Sequence, residues 1–214
     1  NVVSFFVLYA NIDGFDPTIA APLPKDRPEL DRWISSLFHD TLAKVTACLD
    51  GYDVHGATGH VTELVDGLSN WYVRRSRERF WRSTWDDDKR AAYATLYEVL
   101  VGLAKMLAPF VPFMAESIYQ NLVVGCRAPG AAESVHLVDW PTADTSLVDA
   151  ALVRKMDAVR ELVSLGLQVR TQAKAKVRQP LRTAHVVLSD DVLREGLAAA
   201  EGMIKDELNV LGLA

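Results

Sequence analysis

Between residues 91 and 107 apolar side chains recur at helical spacing: Ala92, Leu96, Val99, Leu100, Leu103, Met106 and Leu107. At ~100° per residue they cover a wide face, which predicts a helix buried on most sides with neighbours packed around it. Pro109 stops it, since proline donates no backbone hydrogen bond and disfavours helix at the residue before it. The same period returns on both sides. Leu30, Trp33, Ile34, Leu37, Leu42 or Thr41, Val45 and Leu49 predict a helix opened by Pro28 and ended by Gly51. Residues 52–68 predict another, with Tyr52, Ala57, Val61, Leu64, Val65 and Leu68 inward. Residues 149–175 predict the longest, striped by Leu152, Met156, Val159, Val163, Gly166, Val169 or Arg170, and Ala173.

The segments between are shorter. Residues 1–11 form an apolar helix. Four prolines make residues 16–28 a loop. Asp86, Asp87 and Asp88 suit a helix N-terminus. Pro109 and Pro112 set a corner before a short helix at 114–123, and residues 125–133 are a Gly/Ala/Pro loop. Residues 134–141 read as extended. A strand at 183–188 and helices at 191–200 and 202–208 follow. The predicted fold class is mainly α: a helical bundle over residues 1–141, a long basic connecting helix over 142–182, and the start of a small α/β subdomain over 183–214.

The densest chemistry lies in residues 69–82, with five arginines (Arg74, Arg75, Arg77, Arg79, Arg82), one acid (Glu78), and Trp71, Tyr72, Phe80 and Trp81; Trp85 follows. The run carries a net +4 in a chain whose formal net is −5. On a helix, Val73, Ser76 and Phe80 fall on one side, and Trp71, Arg74, Arg75, Glu78, Arg79 and Arg82 on the other. Guanidinium groups bind phosphates bidentately and stack on aromatic faces. Exposed aromatics stack on unpaired bases. Spacing alone fits two accounts equally: a surface for a polyanion with exposed bases, or a solvated arginine face paired with acids elsewhere. A second basic segment, residues 154–182, carries a net +6 and ends in the cluster Lys174, Lys176, Arg178 and Arg182. That cluster equally suits a grip on RNA backbone or a solvated linker. Positive charge is thus concentrated in two segments of an acidic chain.

Half the residues are hydrophobic, enough for a proper core. No apolar run approaches the ~18 residues of a membrane span. Cys48 and Cys126 have no CxxC neighbour and read as free, buried thiols of a reducing compartment, the cytoplasm. His55 and His60 lie five apart without a third ligand, and read as helix-surface histidines rather than a metal site. The first residue is not methionine, and residues 1–10 lack a basic leader, so the chain reads as a piece of a longer protein.

The run Ser69-Asn70-Trp71-Tyr72-Val73-Arg74-Arg75-Ser76-Arg77-Glu78-Arg79-Phe80-Trp81 resembles the signature of the anticodon-binding domain of isoleucyl-tRNA synthetases. Lys176-Val177-Arg178-Gln179-Pro180-Leu181 resembles a second motif of that family, with Pro180 ending the long helix. Residues 4–11, Leu30-Asp31-Arg32-Trp33-Ile34 and Ser134-Val135-His136-Leu137 with Trp140-Pro141 are similar to further stretches of it. The corner at residues 107–119 resembles class I synthetases more widely.

The resemblance implies a bundle that receives the anticodon stem-loop of an isoleucine tRNA, followed by an α/β subdomain cut near its last strand. The full-length enzyme would join isoleucine to that tRNA, with ATP and Mg in its own catalytic domain. The family's His-x-Gly-His and Lys-Met-Ser-Lys-Ser motifs are absent here, so no cofactor and no catalytic residue are expected in this chain. The expected RNA-binding residues are Trp71, Tyr72, Arg74, Arg75, Arg77, Arg79, Trp81, Arg82, Lys174, Lys176, Arg178 and Arg182. Trp71 is the first choice for stacking, and Phe80 the core residue. The expected partners are the tRNA stem-loop and the parent's catalytic domain, with no membrane. Two alternatives stay open: the anticodon domain of a sister synthetase such as the valine enzyme, and a scaffold whose arginine face docks the catalytic domain.

Overall fold

A computed structural model describes residues 1–125, 130–187 and 197–214. The chain divides into two compact units, Asn1–Val148 and Asp149–Ala214.

The first unit is helical. α1 (Val2–Asp13) is followed by the proline loop, which holds one 3₁₀ turn at Pro24–Asp26. α2 (Glu29–Asp50) starts at Pro28 and runs antiparallel to α3 (Val54–Asp66). From α3 the chain stays helical through a π-helical stretch, Gly67–Val73, into α4 (Arg74–Trp81). α5 (Asp87–Leu107) is capped by Asp86, whose carboxylate accepts the Lys89 N–H at 2.8 Å, the acidic start expected from sequence. α6 (Pro112–Tyr119) leads into a second π stretch, Gln120–Val124.

The core forms where α5 meets α2 and the α3–α4 rod. Trp33, Ile34, Leu42 and Val45 of α2 are buried there, with Ala92, Leu96, Val99, Leu100 and Leu103 of α5. Gly102 lets the two helices approach: a Cβ there would stand 2.3 Å from Cζ of Phe38. A second cluster joins α1 to α4 and α5, where Phe6, Phe15, Phe80 and Tyr93 meet edge-on or stacked at centroid distances of 4.7–5.9 Å.

The second unit holds α7 (Ala150–Gln172), β1 (Leu181–Ala184), α8 (Glu201–Leu208) and β2 (Val210–Leu213). The strands pair in parallel, Leu181 opposite Val210 and Thr183 opposite Gly212. Parallel strands need a crossover between them, and α8 lies on it. Leu152, Met156, Val159 and Val163 form the buried stripe of α7. Gly166 gives α8 its close approach, since a Cβ there would sit 2.6 Å from Leu208 Cδ2.

Several sequence expectations are corrected. α3 begins at Val54, so Tyr52 lies in the turn before it, exposed; Val65 is exposed as well. Residues 135–137 form a 3₁₀ turn rather than extended chain, because the Glu116 carboxylate accepts both the Val135 N–H and the Ser134 hydroxyl and draws the segment round. α7 stops at Gln172, not at Pro180: Lys174 adopts a left-handed backbone at φ 56, and a loop intervenes. Cys48 is half-buried rather than buried. Cys126, much of the loop at 125–133, the end of the predicted strand at 183–188 and most of the predicted helix at 191–200 lie outside the described residues.

Candidate nucleic-acid interface

The arginine run falls on the second half of the α3–α4 rod. As the helical wheel predicts, Val73, Ser76 and Phe80 face inward. Phe80 packs edge-on against Tyr93 at 4.7 Å and Phe5 at 5.2 Å. Arg74, Arg77, Glu78, Trp81 and Arg82 are exposed, and Arg75 is half-buried. Trp81 keeps 55% of its surface open. Arg82 pairs with Asp88 at 3.2 Å and Asp86 at 4.0 Å, a loose arrangement that solvent screens.

Three of the residues expected to meet RNA are buried. Trp71, placed by the wheel in the middle of the open face, is only 5% exposed. The wheel assumes 100° per residue, whereas Trp71 sits in the π-helical stretch, whose i→i+5 turns hold more residues each. Trp71, Tyr72 and Val73 all turn inward as a result. The Arg74 and Arg75 guanidiniums then lie over the indole, 5.7 and 5.8 Å from its ring centroid. Tyr72 is fully buried and donates its hydroxyl to Asp31 Oδ1 at 2.7 Å. Burial, and then the Asp31 charge, push its phenol well above the ordinary range, so it stays a neutral donor.

Arg79, the third, is 8% exposed. Its guanidinium grips the wholly buried Asp31 in a fork, Nη1 to Oδ1 and Nη2 to Oδ2, both at 2.7 Å. It also donates to the Asp88 carbonyl at 2.8 Å and pairs with the Asp88 carboxylate at 3.0 Å. Burial acts to lower its pKa; the hydrogen bonds and charge of Asp31 outweigh that and hold it above the ordinary value. Arg79 is therefore a pin between α4, α2 and α5. Lys89 is a second pin, buried, bonded to Asp13 at 2.8 Å and to the Arg82 carbonyl at 2.5 Å, which fixes the end of α4. The basic run thus combines an internal frame with an outer face of Arg74, Arg75, Arg77, Arg82 and Trp81.

In the second unit Lys174, Lys176, Arg178 and Arg182 are all exposed. Their loop is shaped from beneath by Arg170, which is buried and donates to the carbonyls of Lys176, Val177 and Gln179. Asn209 Nδ2 donates to the Val177 carbonyl as well, at 2.9 Å. With its carbonyls drawn inward, the loop turns its cationic side chains to solvent.

Asp31 and Arg170 are the residues that sequence reading misses as organisers of these surfaces. Each carried a signal, being a charge on a buried stripe: Asp31 three before Ile34 and seven before Phe38, Arg170 seven after Val163. His55 is exposed and His60 lies 3.9 Å from Glu63 on the α3 surface, as read. Among the described residues no cluster of His, Cys, Asp or Glu is arranged to hold a metal ion, and no helix is long and apolar enough to cross a membrane.

A family profile described as the anticodon-binding domain of tRNA ligase matches residues 31–187. The chain is 49% identical over its whole length to an isoleucine–tRNA ligase of Dehalococcoides mccartyi, covering 21% of that protein. It is 46% identical over 98% of its length to the isoleucine–tRNA ligase of Thermus thermophilus, and 45% identical over its whole length to that of Streptomyces coelicolor, covering 20% of each. The chain spans about a fifth of the length of these relatives.

Proposed function

The chain belongs to the family of anticodon-binding domains of tRNA ligases, and from that premise we propose that its helical unit receives the anticodon stem-loop of an isoleucine tRNA. The full-length protein would be a cytoplasmic ligase that attaches isoleucine to that tRNA, with ATP and magnesium handled elsewhere in it. The observation that carries this reading is the open outer face of α4: Arg74, Arg77 and Arg82 exposed beside a half-open tryptophan, Trp81. Guanidiniums there meet phosphates while the indole meets an unpaired base, the combination by which proteins hold single-stranded RNA. The exposed Lys174, Lys176, Arg178 and Arg182 of the second unit add backbone contacts of the same kind. The role of these residues is binding, and no bond-making step is assigned to them.

The test is a tryptophan-fluorescence titration with isoleucine and valine anticodon stem-loops at several salt concentrations. Tighter binding of the isoleucine stem-loop, weakening as salt rises, is expected. Arg77→Ala and Arg82→Ala should each lower the slope of log affinity against log salt by roughly 0.7–0.9. Absence of salt-dependent binding to either RNA would refute the reading and leave the arginine face for docking on the rest of the enzyme.

A further inference from the structure

Trp71 is too deeply buried to stack on a base, yet its indole lies directly beneath the outer face of the arginine run. It precedes Arg74 and Arg75 by three and four residues. On a helix, long side chains lean back over the preceding turn, so both arginines reach toward that ring. Their guanidiniums stand 5.7 and 5.8 Å from one ring centroid. Arg74 is tied down further, since its Nε donates to the Asn70 carbonyl at 3.0 Å. Among the described residues, these two are the arginines of the run that lie over an aromatic ring; Arg77 and Arg82 reach outward without one.

We propose that Trp71 is a positioning residue for RNA phosphates: its buried indole holds the Arg74 and Arg75 guanidiniums in place to meet neighbouring phosphates of the stem-loop backbone. The proposal rests on the RNA-binding reading above and divides the work of the two tryptophans. Trp81, 55% open, meets a base, and Trp71, 5% open, serves the cations. The electron-rich ring face attracts both guanidiniums and offsets the repulsion of bringing two like charges together. A ring contact draws on the charge of a guanidinium and does not use up its N–H donors, which are what a phosphate accepts from. An arginine has many rotamers to lose when it grips a phosphate, and one already held near its bound position loses fewer. The gain is therefore in affinity. The number of phosphates neutralised is set by the arginines and not by the ring.

The experiment titrates a fluorescently labelled isoleucine anticodon stem-loop with the 214-residue chain and its variants, by anisotropy at several salt concentrations, below the melting temperature of each. Trp71→Leu should bind about 5- to 150-fold more weakly, the ordering cost of two side chains, with an unchanged salt slope. The pair Arg74→Ala, Arg75→Ala should lower that slope by roughly 1.4–1.8. Adding Trp71→Leu to the pair should change affinity less than twofold, because the ring then has nothing to hold. Adding it to Arg77→Ala should multiply the two losses, since Arg77 does not lie over the indole. Trp71→Phe keeps a ring face and should bind closer to the parent than Trp71→Leu. If Trp71→Leu does not fold, the loss in Trp71→Phe, and its disappearance in the arginine pair, carries the same test.

A Trp71→Leu loss that multiplies with that of the arginine pair overturns the proposal, because the ring then acts without those two cations. A loss that fails to multiply with Arg77→Ala overturns it as well, by making Trp71 a support of the whole helix. If the parent binds with an arginine-dependent slope and Trp71→Leu stays within twofold of it, only this inference falls. If the parent binds no stem-loop, the RNA-binding reading falls with it.

Discussion

Replacing Asp31 with asparagine tests whether Arg79 is an internal pin or a surface cation. Asp31 is wholly buried and accepts three hydrogen bonds, two from Arg79 and one from Tyr72. Asparagine keeps the shape but loses the charge and turns N–H groups toward a guanidinium. Breaking a buried ion pair by removing one partner costs about 3–5 kcal/mol, because the other charge is left uncompensated. For a unit of this size each kcal/mol lowers the melting temperature by roughly 2–4 °C, so Asp31→Asn should melt about 6–20 °C below the parent in far-UV circular dichroism. The triple variant Asp31→Leu, Arg79→Met, Tyr72→Phe removes the donors together with the acceptor. It should recover most of the loss, since apolar residues of similar volume often replace a buried pair without penalty. The triple should also keep the parent's salt slope for RNA, because Arg79 does not face solvent. An Asp31→Asn melt within 2 °C of the parent, or a triple variant no more stable than the single, would refute the reasoning.

Gly102→Ala should destabilise the first unit by up to about 2 kcal/mol, measured by urea denaturation. The new Cβ must displace the buried Phe38 ring, an overpacking cost of roughly 1–3 kcal/mol that the ~1 kcal/mol gain in helix propensity only partly offsets. His39 should make docking of the segment at residues 138–148 sensitive to acid. Its Nδ1 accepts the Asp144 N–H at 3.1 Å, which requires the neutral ring. Burial lowers its pKa, partly opposed by the charges of Asp144 and Glu98. The unfolded chain therefore binds the proton first. This contribution is complete above the ordinary histidine value of about 6.5 and is lost as pH falls through the lower folded value. Protection of the Asp144 amide from hydrogen exchange, relative to its intrinsic rate at each pH, should fall over that range, and in His39→Gln it should not.

The sequence by itself determined the helices and the family. Apolar residues at a period of 3.6, stopped by Pro109 and started at Asp86, specify elements locally, because propensity and capping act within a turn or two of chain. The motif at residues 69–81 and the exposed cations at 174, 176, 178 and 182 were legible for the same reason: they are contiguous. Tertiary structure alone decided which of the charged and aromatic residues in that motif face outward. Trp71 and Arg79 read as surface residues on an ideal wheel. The π-helical turns change the phase for one. For the other, folding brings Asp31 to it from 48 positions away in the chain. An arginine is stable inside only where an acid and carbonyls meet its fork, and no local pattern reports whether they will. Tyr52 shows the converse. Its apolar ring predicts burial, but the left-handed turn that ends α2 turns it to solvent, because the hydrogen bonds closing that helix hold the backbone in a conformation that points the side chain away from the core.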